Sequence, residues 1–146
     1  MPGITVGVDG SASSKRALEE AAKEAGIHHA PLTVLTVHQA VVGYSGRPVT
    51  YPEDATLTQQ AREATQAETD KVLAELDGPR PESVTVKAVN GFPAEELINA
   101  SKDADIVVLG SRGAGGFKHL LMGSVSSQVA HHAHCPVLIV PAQNHD

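Results

Sequence analysis

Short β-branched runs alternate along this chain with longer segments of helical period, and the alternation predicts five strands. Ile4–Val8 reads as the first strand. A helix over residues 13–25 follows after Asp9, Gly10 and Ser11. Ala17, Leu18, Ala21, Ala22 and Ala25 recur at i, i+1, i+4, i+5 and i+8, which is one helical face. Lys15, Arg16, Glu19, Glu20, Lys23 and Glu24 take the remaining positions, and Gly26 is expected to end the helix. The second strand covers residues 32–37. A polar helix over residues 58–76 then stops at Gly78-Pro79, and residues 84–89 form the third strand. Pro93 belongs in the first turn of the next helix, with Glu95 and Glu96 near its positive end and Leu97, Ile98 and Ala100 on its buried side. Residues 106–109 are almost wholly apolar, as expected of a strand covered on both faces. A last helix over residues 124–133 leads to a fifth strand, Val137–Val140.

Strands that alternate with helices imply right-handed crossovers and a parallel sheet between two helical layers, the α/β class. No internal repeat, low-complexity tract or second domain interrupts the pattern, so residues 1–146 are read as one domain. Residues 39–57 break the regularity. They carry Gly43, Gly46, Pro48 and Pro52 and are long for a loop, so they are either a surface insertion or a cover for a ligand.

Composition narrows the function classes. At 146 residues the chain can bury roughly 70% of its unfolded surface. With 3% aromatic residues and no Trp, its core must be built from Val, Leu, Ile and Ala. The net charge of −6 argues against nucleic acid as the main partner, because phosphate contacts need clustered Lys and Arg. A single cysteine, Cys135, excludes an internal disulfide and fits a reducing compartment. The first ten residues lack the pattern of a signal peptide, and no apolar run approaches the length of a membrane span. A cytoplasmic location is the expectation.

The chemistry concentrates after the fourth strand, in Gly110, Ser111, Arg112, Gly113, Ala114, Gly115 and Gly116, and then in Gly123, Ser124, Val125 and Ser126. A glycine-rich loop that runs from the carboxyl end of a strand to the N-terminus of a helix favours an anion. Glycines let backbone N–H groups approach a phosphate, and the helix start adds unpaired donors and the positive end of its dipole. Ser124 and Ser126 bring hydroxyls, and Ser124 is expected to cap the helix. Neither GxxxxGK[ST] nor GxGxxG occurs. His131, His132, His134 and Cys135 raise a zinc site, but Pro136 pushes Cys135 into an extended conformation, so a polar helix end is the preferred reading.

The spacing of Gly110, Gly113, Gly123 and Ser124 resembles the nucleotide-binding signature of the ATP-binding universal stress proteins. The resemblance extends to Val6-Gly7-Val8-Asp9-Gly10-Ser11, to Gly91-Phe92-Pro93-Ala94, to residues 104–110 and to residues 135–140, with residues 39–57 matching least. It implies an open five-stranded parallel sheet in the order 3-2-1-4-5, Rossmann-like, with the ligand at the switch point between the first and fourth strands. It also implies roles. Gly7 would let the nucleotide approach, Asp9 would bond the ribose, and Val37 would meet adenine. Residues 110–116 would wrap ribose and phosphates, with Arg112 either adding a charge or solvated, and residues 123–126 would hold the terminal phosphates. Mg²⁺ would be held mainly by the nucleotide, with no dedicated metal cage. Asp9 is the carboxylate placed in the crevice, and His119 lies in the loop. The function implied is an ATP-binding stress-response regulator with slow or no hydrolysis. The alternatives are a weak ATPase, a protein that phosphorylates itself on Ser124 or Ser126, or a cyclic AMP binder. A homodimer through Val137–Val140 is the implied assembly.

Overall fold

The computed structural model describes residues 3–112 and 123–141. Seven strands and four helices follow one another among them as β1 (Ile4–Val8), α1 (Ala12–Ile27), β2 (Pro31–Gln39), β3 (Val41–Val42), β4 (Pro48–Val49), α2 (Pro52–Ala74), β5 (Ser83–Gly91), α3 (Pro93–Ser101), β6 (Ile106–Gly110), α4 (Ser124–His132) and β7 (Val137–Val140). Five strands form one sheet in the order β5-β2-β1-β6-β7. All its pairings are parallel. This is the predicted 3-2-1-4-5 order of the principal strands.

Side-chain alternation along the strands feeds two apolar layers. Ile4, Val6, Val8, Val34 and Val108 point to the layer closed by Ala17, Leu18, Ala21, Ala22 and Ala25 of α1 and Val72 of α2. Leu35, Val107 and Leu109 point the other way, against Leu97 of α3 and Val129 of α4. The helices that follow β1 and β6 therefore lie on opposite faces, and the carboxyl ends of these neighbouring strands are a topological switch point.

Residues 39–57 differ from the expected loop. They hold the antiparallel ribbon β3–β4 and the first turns of α2, which starts at Pro52 rather than residue 58. Pro52 sits in the first turn of α2, where its missing N–H costs nothing, and Glu53 and Asp54 complement the helix dipole. Nor does Gly26 end α1. The helix runs one residue further, to Ile27, and Gly26 has no room for a side chain, since a Cβ there would come 2.8 Å from the Pro79 carbonyl carbon. His29, at φ 48°, makes the turn into β2. No helix among the described residues is long and apolar enough to cross a membrane.

Candidate functional site

At the end of β1 the chain turns through Asp9, Gly10 and Ser11. Gly10 supplies a φ of +83°. The Ser11 N–H donates to Asp9 Oδ1 at 3.0 Å, and Ser11 Oγ caps α1 by accepting the Ser14 N–H at 3.1 Å. Ser14 Oγ in turn accepts the Asp9 N–H at 3.2 Å and donates to the Ser11 carbonyl at 3.1 Å. Local bonds thus fix the position of Asp9, whose side chain stays exposed at the mouth.

The end of β6 meets the same place. Gly110 rests on the first turn of α1, where a Cβ would come 2.8 Å from the backbone of Ser13. The Arg112 N–H donates to Ser13 Oγ at 3.4 Å. Ser111 joins three elements. Its N–H donates to Val140 O at 2.9 Å, and its carbonyl accepts the Gly123 N–H at 2.6 Å and Ser126 Oγ at 3.0 Å. The two ends of the glycine-rich segment are therefore fastened together beside β1. Gly113, Ala114, Gly115, Gly116 and His119 lie outside the described residues.

Gly123, not Ser124, is the N-cap of α4, and the ladder starts with Ser127 N–H to Gly123 O at 3.0 Å. Its first-turn N–H groups, on Ser124, Val125 and Ser126, precede that ladder. The first turns of α2 and α3 carry their own carboxylates, Glu53, Asp54, Glu95 and Glu96, whereas those of α1 and α4, at the switch point, carry none. The start of α4 therefore presents the positive end of its dipole with no carboxylate of its own to offset it. The Ser126 hydroxyl is buried and engaged with Ser111 O and with Gly123 O at 3.1 Å, so its side chain holds the loop end in place. Ser124 is exposed, and its Oγ accepts from Gln128 at 3.2 Å.

On the α3 and α4 side the surroundings are apolar. Val37 and Val125 are partly buried against the layer of Leu97, Leu109 and Val129. Gly7 faces this layer too, where a Cβ would come 2.8 Å from Leu109 and 2.9 Å from Leu97. A side chain at Gly7 would therefore require the ends of these two leucines to shift.

Two features escaped the sequence reading. The first is Glu68 of α2, half-buried, which senses the charges of Lys15, Asp9 and Glu19. Burial first, then the carboxylates of Asp9 and Glu19, raise its pKa, and Lys15 partly offsets them. The raised value means that Glu68 favours the folded state most when protonated, an advantage lost as pH rises through that value. The second feature is a partly buried pair, Nε2 of His38 lying 2.9 Å from Asp54 Oδ1. The Tyr51 backbone N–H, followed by the His38 side chain, lowers the Asp54 pKa. Its contribution to stability is therefore present at neutral pH and is lost as pH falls through the lowered value. Residue spacing could have found Glu68, which lies three and four positions from Thr65 and Val72, both on the inner face of α2.

The histidines near the end of α4 do not gather. Helix α4 ends at His132 with Ala133 extended, and no group of three metal-ligating side chains occurs among the described residues. The Cys135 thiol is half-buried, and burial raises its pKa.

Residues 2–141 match the universal stress protein family. The chain belongs to that family. A universal stress protein of Mycolicibacterium smegmatis is 37% identical over 141 residues, which is 94% of this chain but 47% of that relative. This chain therefore spans about half the length of the first mycobacterial relatives it matches. Among solved structures, the universal stress protein UspA from Lactobacillus plantarum superposes with a TM-score of 0.75 at 25% identity, covering 94% of this chain and 96% of that one. Another universal stress protein, solved in complex with cAMP, gives a TM-score of 0.65 at 25% identity, with 94% of each chain covered.

Proposed function

We propose that this universal stress protein binds an adenine nucleotide, ATP in the first instance, at the crevice between the ends of β1 and β6, and acts as a regulator with slow or no turnover. The observation that carries the reading is the fastening of Gly123 and Ser126 to Ser111, which sets the start of α4 at the switch point beside Asp9. The residues present fit such a ligand. The first turn of α4 offers donors and no competing carboxylate to a phosphate, and Val37 offers an apolar surface to a base. The solved relative with cAMP supports an adenine nucleotide and makes the cyclic form the second ligand to test. Asp9 would orient the ribose, and Arg112 would add charge near the phosphates. Mg²⁺, if present, would be carried by the nucleotide's own oxygens with Asp9 nearby.

Slow turnover is part of the proposal, and two described residues near the proposed site support it. Asp9 already accepts the Ser11 N–H, and the Ser126 hydroxyl is engaged. Titration calorimetry with ATP and with cyclic AMP, alongside phosphate release in Mg²⁺, tests the proposal. Binding with release far below about 10 per second supports a regulator, whereas turnover near that median enzyme rate makes the protein an ATPase.

The same reading includes a homodimer through β7, an edge strand of the sheet. The carbonyls of Pro136 and Val140 face β6, accepting from Val107 and Ser111, so the backbone groups of Val137 and Ile139 face the open edge. Ile139→Pro removes one of those outward donors. Sedimentation at micromolar concentration should show a dimer for the wild type and a monomer for the folded variant. A monomeric wild type overturns the assembly.

A further inference from the structure

Between β2 and α2 the chain leaves the sheet, turns through the β3–β4 ribbon and returns. His38 and Asp54 stand at the two ends of this excursion. One oxygen of the Asp54 carboxylate lies 2.9 Å from Nε2 of His38, and the other accepts the Tyr51 N–H at 2.6 Å. The Asn90 side chain, from the residue paired with His38 across β2 and β5, lies near enough to the same carboxylate to help lower its pKa. Two strands and a helix start therefore meet at one residue that is only 7% exposed.

The ribbon between these ends is held much less firmly. Each of its strands has two residues, and its turn is closed by Gly43 N–H to Arg47 O and Gly46 N–H to Gly43 O, both at 3.0 Å. A ribbon this short has no stability of its own in water. Val41 and Val42 are half exposed and Tyr44 is fully exposed, so little apolar packing holds the ribbon down. A cleft of about 360 Å³ separates Ala40, Pro48 and Thr50 from Asn90, Gly91 and Phe92. A single bond near the start, Ala40 N–H to Gly91 O at 2.8 Å, spans this gap. A weak element anchored at both ends beside open space is built to move as a unit.

We propose that residues 39–53 are a lid on the carboxyl edge of the sheet, latched by His38 and Asp54, and that release of the latch controls escape of the nucleotide from the crevice. The second half rests on the nucleotide reading of the preceding section, through Val37. That residue is proposed to meet the base, and His38 follows it directly on the opposite face of β2. Movement of the latch therefore reaches the base contact without passing through any other residue.

Amide hydrogen exchange of the nucleotide-free protein tests the latch. In Asp54→Asn and in His38→Ala, exchange at Gly43 and Gly46 should accelerate roughly tenfold or more, while Val6 in the sheet centre keeps its wild-type rate. Unchanged ribbon exchange in both variants overturns the lid, as does equal acceleration at Val6, which would mark a general loss of stability. Dissociation of a fluorescent ATP analogue then tests the coupling. It should speed up in both variants by at least several-fold, and wild-type dissociation alongside a faster ribbon overturns control by the latch. A wild type that binds no ATP instead defeats the nucleotide reading, and the exchange experiment still decides whether the lid exists.

Discussion

Gly123→Val is expected to weaken ATP binding at least roughly a hundredfold, equivalent to about 2.7 kcal/mol, in a protein that still folds. Gly123 has φ −77° and ψ 168°, a conformation open to any residue, so valine brings no backbone strain. Its N–H can still donate to Ser111 and its carbonyl can still accept from Ser127. Exchanging a glycine N-cap for valine costs about 1 kcal/mol of helix stability, which the nucleotide-free protein should show as a small fall in melting temperature. The larger effect is steric. A branched side chain at the N-cap is expected to crowd a phosphate held by the N–H groups of Ser124, Val125 and Ser126. Ser124→Ala should do less, removing one exposed hydroxyl and costing roughly 0.5–3 kcal/mol of binding. Calorimetric titrations and thermal melts, each with and without ATP, read both variants. A valine variant that binds ATP like wild type removes the phosphate from the start of α4. A wild type with neither ATP heat nor an ATP-dependent rise in melting temperature removes the nucleotide altogether.

The five principal strands and the two helical layers were legible because most of these elements carry a clear period, whereas the sheet order came from the family resemblance. The β-branched runs at Ile4–Val8 and Val137–Val140 and the alanine face of α1 cannot exchange roles without exposing their apolar side chains. The start of α2 was not legible. Glu53, Ala55, Thr56 and Leu57 are all exposed, so no apolar stripe marks its first turns, and Tyr51 is not a residue type that signals a cap. The surviving signal was Pro52 followed by two acidic residues, the pattern of a helix start that a loop rich in Gly and Pro disguises. Ribbon strands of two residues lie below the length at which alternation can be read at all.

The site divides in the same way. The loop after β6 and the turn after β1 are local motifs, and the family resemblance they carry implied that Asp9, Gly110 and Gly123 lie around one crevice. Ser13 beneath Gly110, Glu68 near Asp9 and Asp54 against His38 are meetings between distant parts of the chain. Nothing in a one-dimensional pattern announces them. The Ser126 hydroxyl shows the cost of reading residue type alone, since a serine suited to phosphate is spent on the Ser111 carbonyl.

Gly110→Ala should separate the two uses of glycine within one motif. Where Gly123 has a conformation any residue can adopt, Gly110 lies against the start of α1, and a methyl group there would stand 2.8 Å from both the carbonyl carbon and the carbonyl oxygen of Ser13. Real Cβ atoms do not come that close, and the obstacle is backbone rather than the end of a flexible side chain. Either β6 or the first turn of α1 must move. Ala17 and Leu18, one turn further along α1, are fully buried in the layer against the sheet, so a shift of that helix loosens the core as well as the bond between Arg112 N–H and Ser13 Oγ. Overpacking of this kind costs about 1–3 kcal/mol. In a domain of this size that lowers the melting temperature by roughly 3–10 °C, and the loss is already complete without nucleotide. The two substitutions should therefore leave opposite signatures: Gly123→Val removes ATP binding from a nearly intact protein, and Gly110→Ala lowers the urea midpoint of the free protein first. If Gly110→Ala unfolds at the wild-type midpoint, the start of α1 does not rest on the end of β6, and the crevice has more room than this contact allows.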